Sequence, residues 1–272
     1  MELGKLGVWQ TWHRGTGAVE AIEAAGYGTF WVGGSPSVEQ CRPFLETSSS
    51  LVIASGILNV WQHEPGDVAE ARAAVEQEFP GRFLIGIGIG HPERTSDYRR
   101  PLATMRAFFD GLDAAASPVP ADTRCAAALG PKMLDLARER SLGAHSYFVP
   151  VEHTRIARER LGPDALLAPE VAVVVEEDAE TARRVARGYA EYYLASSNYT
   201  NNLLRMGWSD ADLTDGGSDA LIDALIPHGS AESVAAAVGS HFEAGADHVC
   251  LQALGHGDAP AEDYAALAAL LL

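Results

Sequence analysis

Leu51-Val-Ile-Ala-Ser-Gly-Ile-Leu-Asn-Val-Trp61 and Phe83-Leu-Ile-Gly-Ile-Gly-Ile-Gly-His91 frame a single amphipathic stretch in this chain. Each is a short, nearly continuous apolar run that ends in glycine, the pattern of a strand covered on both faces. Between them Val68, Ala71, Val75 and Phe79 share one helical stripe, with Asp67 expected as the cap, Glu70 as its capping-box partner and Pro80-Gly81 as the stop. Strand, helix and strand in this order predict a parallel β-α-β unit. Glycine weakens a strand interior, so Gly86, Gly88 and Gly90 at alternate positions predict that something large and flat, a planar cofactor first, lies on bare main chain.

The same reading extends outward in both directions. Eight β-like segments are expected: Leu6 to Thr11, Thr29 to Gly33, Leu51 to Trp61, Phe83 to Gly90, Thr123 to Leu129, Ala144 to Val149, Glu170 to Val175, and His248 to Leu254. Helical patterns separate nearly all of them. Gly130-Pro131 opens one helix, proline standing where its missing N–H costs nothing, and Gly143 is expected to close it. At 272 residues the chain has about the size of a (β/α)8 TIM barrel, roughly 250 residues. One domain spanning residues 1–272 is expected, with a helical insertion between strands seven and eight at about 178–245.

Composition excludes several classes. A formal charge of −17 and no Lys/Arg run beyond two residues argue against a nucleic-acid partner. Apolar runs such as Val171 to Val175 fall far short of the roughly 20 residues a membrane helix needs. The start Met1-Glu-Leu-Gly-Lys has no secretory-signal pattern, so a cytoplasmic location is expected. Cys41, Cys125 and Cys250 are too scattered for a disulfide framework or a zinc site, and no metal is expected.

Several segments resemble the luciferase-like family of flavin- and deazaflavin-dependent oxidoreductases, in particular its coenzyme F420-dependent actinobacterial branch. They are Ala21-Ile-Glu-Ala-Ala-Gly-Tyr-Gly-Thr-Phe-Trp-Val-Gly-Gly34, Ala54-Ser-Gly-Ile-Leu-Asn-Val-Trp61, Gly81-Arg-Phe-Leu-Ile-Gly-Ile-Gly-Ile-Gly90, Leu129-Gly-Pro-Lys-Met-Leu134, Asn198-Tyr-Thr-Asn-Asn-Leu-Leu-Arg205, and Gly245-Ala-Asp-His-Val-Cys-Leu-Gln252. The resemblance implies a barrel with its ligand site at the carboxyl ends of the strands. It also implies F420 as cofactor, hydride exchange with a small organic substrate, and FMN with monooxygenase chemistry as the alternative. A flavin-binding barrel without catalysis is the third reading.

Candidate residues follow from those strand ends. The resemblance places a bulge with a non-prolyl cis peptide at Gly56-Ile57, flanked by Ser55 and Asn59, behind the tricyclic ring. Gly88, Gly90 and His91 would let a ring or ribityl chain approach the backbone. Ala128, Leu129, Gly130, Pro131 and Lys132 form a strand-to-helix turn suited to a phosphate. Gly34 and Ser35 stand where F420-using relatives often carry acidic or histidine side chains, which leaves the acid/base partner open. His13 and His256, after the neighbouring first and eighth strands, are the candidate proton donors. Trp9, Trp12 and Trp61 are expected as pocket walls, Trp31 as packing, and Arg94, Arg99 and Arg100 as partners for an anionic tail. Tyr192, Tyr193 and Tyr199 with Asn198, Asn201 and Asn202 form a patch that suits a lid or a contact in a homodimer.

Overall fold

The computed structural model describes residues 1–96, 98–255 and 261–272. Its strands are β1 Leu6–Thr11, β2 Thr29–Gly33, β3 Val52–Gly56, β4 Leu58–Asn59, β5 Phe83–Gly88, β6 Arg124–Ala127, β7 Gly143–His145, β8 Leu166–Leu167, β9 Glu170–Val175, β10 His228–Gly229 and β11 Val249–Ala253. Every pairing is parallel, in the order β10-β9-β11-β1-β2-β3-β5-β6-β7-β8, with β4 also on β5. The segments 52–59 and 166–175 are each one stave interrupted once. The second of them closes the ring: β8 pairs with β7, β9 pairs with β11, and the Glu170 N–H bonds the Ser146 carbonyl between them. The fold is therefore the expected (β/α)8 TIM barrel, with β10 a two-residue edge contributed by the insertion.

Alternation along the staves sorts side chains into two apolar clusters. Phe30, Val32, Ile53, Phe83, Ile85, Val171, Val173 and Leu251 face the surrounding helices. Trp31, Val52, Ala54, Leu84, Cys125, Ala168 and Cys250 face the barrel axis. Alanine and cysteine make up most of the interior set beside Val52 and Leu84, because a tapering lumen that holds Trp9 and Trp31 leaves little space opposite them.

Local details depart from the expectations at identifiable points. The helix after β4 runs Pro65–Glu78; it begins at Pro65, whose preset φ suits the first helical position, so Asp67 lies inside the first turn and caps nothing. The helix opened by Gly130-Pro131 ends at Arg140 with Ser141 as its cap, and Gly143 starts β7 instead of closing the helix. A Cβ on Gly143 would collide with the Leu166 backbone, which is the close approach that requires glycine there.

The insertion packs as a third apolar unit. The helix Ala179–Leu194 buries Ala182, Ala186 and Ala190, a small-residue face that lets it lie close on Ala172 and Val174 of β9. The helices Ser197–Arg205 and Asp219–Leu225 complete this cluster with Tyr199, Leu203, Leu221 and Ile222. It roofs the carboxyl ends of the staves on one side and leaves the rest open. Among the described residues no helix is long and apolar enough to cross a membrane.

Candidate active site

A cleft of about 1070 Å³ opens at the carboxyl ends of the staves, between the barrel mouth and the insertion. Its size exceeds the usual range for a small-molecule site, roughly 300–1,000 Å³. Aromatic side chains from both sides wall it: Trp9 and Trp61 from the barrel, Tyr189, Tyr193 and Tyr199 from the insertion. Trp9 Nε1 donates to the Gly56 carbonyl at 3.0 Å and approaches the Tyr147 hydroxyl at 3.2 Å, tying three staves together at the floor. The Gly56–Ile57 peptide is cis, at the position the resemblance implies.

The bare main chain of the third and fourth staves has an explanation other than a resting cofactor. A Cβ on Gly86 would collide with the Ser55 carbonyl, one on Gly88 would lie 2.5 Å from Ile57 Cδ1, and one on Gly56 would lie 2.9 Å from Trp9 Nε1. Gly86 is thus required by the protein's own packing, so a ligand is not the cause of its bare main chain, while Gly88 and Gly56 are limited by neighbouring side chains. Gly88 and Gly56 still present backbone to the cleft. Gly34 (φ +84°) and Gly90 (φ +65°) are different: both adopt backbone that favours glycine, and both line the cleft.

Other sequence-derived candidates divide by position. Ser35, Ile57, Asn59 and His91 line the cleft, as do Ala128, Leu129 and Gly130. Ser55 is buried beneath them, its hydroxyl donating to the Gly86 carbonyl at 2.9 Å. Pro131 and Lys132 are exposed and outside the lining, because the helix they begin turns its first residues to the surface. His13 is exposed and its ring lies tilted against Trp12 at 3.8 Å between centroids, with Trp12 Nε1 bonded to the Gly34 carbonyl; neither ring lines the cleft. His256 lies outside the described residues.

Two histidines have their ring chemistry set by partners. Asn198 Nδ2 approaches His91 Nδ1 at 3.3 Å, so the amide donates and Nδ1 keeps its lone pair. Burial, then the nearby Arg94 cation, lowers the His91 pKa. His145, which composition did not single out, lies at the floor, stacked on Trp31 at 3.9 Å. Its Nδ1 meets the Ala168 carbonyl at 2.5 Å and must carry the proton, which leaves the Nε2 lone pair buried with no partner. Burial brings its pKa to about 3, only partly opposed by that hydrogen bond, and His248 lowers it further. His145 is thus a neutral acceptor at ordinary pH.

The start of the helix after β6 suits an anion. Gly130 is the N-cap of the helix Pro131–Arg140, and an Arg205 guanidinium nitrogen lies 3.6 Å from where a Gly130 Cβ would be. Arg205 bonds Asn202 Oδ1 at 2.9 Å, and the buried Asn202 Nδ2 has no partner. Helix N-terminus, guanidinium and free amide offer donors and positive potential for a phosphate in a chain of charge −17. Arg205 sits within a segment that carried the resemblance, yet nothing in its local spacing shows that the insertion folds back onto Gly130. Among the described residues there is no group of three or more His, Cys, Asp or Glu that could hold a metal ion.

Barrel, mouth cleft and helical roof define a class of TIM-barrel proteins that hold a ligand across the carboxyl ends of their strands. The luciferase-like monooxygenase family profile matches residues 3–248, and the chain belongs to that family. Solved structures share the fold at low identity. An F420-dependent secondary alcohol dehydrogenase in complex with an F420-acetone adduct aligns at TM-score 0.77 and 13% identity over 100% of each chain. The coenzyme F420-dependent tetrahydromethanopterin reductase from Methanopyrus kandleri aligns at 0.70 and 13%, covering 98% of this chain and 97% of that one. The 3,6-diketocamphane monooxygenase of Pseudomonas putida, in complex with FMN, aligns at 0.70 and 15%, covering 96% and 93%. A search of curated proteins finds no significant match.

Proposed function

We propose that the protein is an F420-dependent oxidoreductase that exchanges a hydride with a small organic substrate. The observation that carries this reading is the cleft itself: aromatic walls, unpartnered polar atoms and a phosphate-suited corner at Gly130 and Arg205. His145 Nε2 and Gln252 Oε1 are acceptors without partners in or beside that space, which suits a heterocycle carrying N–H groups. Bound deazaflavin would supply the hydride and its electron pair. The chain's own residues would hold the ring over Gly56 and Gly88, seat the phosphate at Gly130 and Arg205, and exclude water with Tyr193 and Tyr199.

Arg94, at the cleft rim with its guanidinium 3.5 Å from the Tyr192 ring centroid, supports F420 over FMN, because an anionic tail beyond the phosphate would meet it. FMN-dependent monooxygenation is the second reading, favoured by the phosphate corner, which accepts either cofactor. Dissociation constants of the purified protein for F420 and for FMN separate the two; tighter FMN binding overturns the proposal.

A further inference from the structure

Glu170 is a buried titratable group to which the cofactor reading gives no task. It heads β9, is 1% exposed, and its Oε2 has no hydrogen-bond partner. Oε1 lies 3.1 Å from the Tyr189 hydroxyl, and that hydroxyl lies 2.9 Å from the Tyr193 hydroxyl. Tyr189 and Tyr193 stand one turn apart on the helix Ala179–Leu194, and both line the cleft. A continuous line of exchangeable protons therefore runs from the barrel interior to the cleft wall.

We propose that Glu170 supplies and recovers the reaction's proton, relayed to the cleft through the hydroxyls of Tyr189 and Tyr193. This rests on the hydride-transfer reading. In the reducing direction a polar double bond of the substrate gains the hydride and its electron pair at carbon, from the reduced cofactor. Its heteroatom takes the proton from the Tyr193 hydroxyl; Tyr193 is refilled from Tyr189, and Tyr189 from the Glu170 carboxyl. Glu170 ends as a carboxylate that accepts from Tyr189, and the oxidising direction runs the same transfers backwards. Tyr193 is the catalytic residue, and Tyr189 and Glu170 act through it.

The surroundings suit a proton reservoir. Burial raises Glu170 to about 8, against the Tyr189 hydroxyl and the Phe148 amide, which favour the carboxylate. The titratable groups that face it are Tyr189 and Tyr193 from the roof helix, Tyr199 from the next helix, Tyr147 after β7, Cys250 of β11 and Tyr264 of the last helix. All of these are neutral at ordinary pH, so the proton on Glu170 has no cation to displace it.

Two measurements test the relay. Infrared spectroscopy of the protein without cofactor should show a protonated-carboxyl band that titrates near pH 8, is absent in Glu170→Gln, and titrates higher in Tyr189→Phe, which loses a bond to the carboxylate. In turnover, reduction should fall as pH rises through about 8, and Glu170→Gln and Tyr193→Phe should each lower kcat about a hundredfold, with little change in KM and no such pH limb. A Glu170 carboxyl that titrates in the usual carboxylate range overturns the proposal, as does a folded Glu170→Gln or Tyr193→Phe with wild-type kcat and pH profile. Should Glu170→Gln fail to fold, Tyr193→Phe, which keeps the Glu170–Tyr189 bond, decides alone. Tighter FMN than F420 binding defeats the cofactor reading only; the infrared titration, with turnover of Tyr193→Phe measured on reduced FMN as hydride donor, still decides the relay.

Discussion

The Trp9 indole occupies the space that a side chain on Gly33 would need, so that a Cβ there would collide with the ring carbons Cζ2 and Cε2. The two residues sit on adjacent staves, and the indole is held in place by its bonds to Gly56 and Tyr147. Gly33→Ala should therefore destabilise the fold by about 1–3 kcal/mol through overpacking, read as a lower urea midpoint with an unchanged slope. Trp9→Phe in the same background should restore part of the loss, because a smaller ring vacates the contested space.

Gly86 and Gly88 both face the barrel axis but meet different neighbours. Gly86 abuts the backbone carbonyl of Ser55, which cannot move without moving the stave, whereas Gly88 abuts the tip of the Ile57 side chain. Gly86→Ala should cost about 3 kcal/mol and Gly88→Ala nearer 1 kcal/mol in denaturant unfolding. Equal losses would contradict this packing.

Arg205 is expected to act on the phosphate end of a ligand alone. Arg205→Ala should weaken a phosphorylated cofactor by about 1.5–3 kcal/mol, tenfold or more, while its dephosphorylated form binds the variant and the parent equally. Isothermal titration with both forms checks the difference.

Opposed titrations set a stability optimum. His145, His241 and His248 fall from 6.5 to about 3, 4 and 4, chiefly through burial. Below pH 6.5 the unfolded chain binds protons that the folded chain refuses, so stability drops on acidification by roughly 1.4 kcal/mol per pH unit per histidine. Glu170 has the opposite sign: it rises from 4.5 to about 8, so the folded chain holds the extra proton and stability falls as pH rises through that interval. For these four groups the maximum lies close to pH 7, on the order of where the two slopes cancel. Melting curves across pH 5 to about 9 should show it, and Glu170→Gln should flatten the alkaline side.

The barrel was legible because its signals are local: apolar runs, helix-opening Gly130-Pro131, and a gap between staves seven and eight long enough for a roof. Leu166–Leu167 escaped because two residues ahead of Pro169 carry no strand periodicity of their own. The role of Gly86 is not legible in its spacing for a physical reason: a missing side chain looks the same in sequence whether a ligand, a neighbouring carbonyl or an isoleucine takes the space. Arg205, His145 and Glu170 were invisible as site residues because their positions come from ring closure and from the insertion folding back, neither of which leaves a periodic trace. The Gly56–Ile57 bulge was reached only through family resemblance, since Ser55-Gly56-Ile57 reads as plain strand.

The roof shares one apolar cluster with Ala172 and Val174 of β9, and the wall cluster behind the staves contains none of the roof's alanines or tyrosines. Chassis and canopy thus meet on the inner face of that stave. A lineage that rewrote the canopy from Ala179 onward would change what molecule is admitted, but only by keeping Tyr189, Tyr193 and Arg205 would it retain the relay and the phosphate seat.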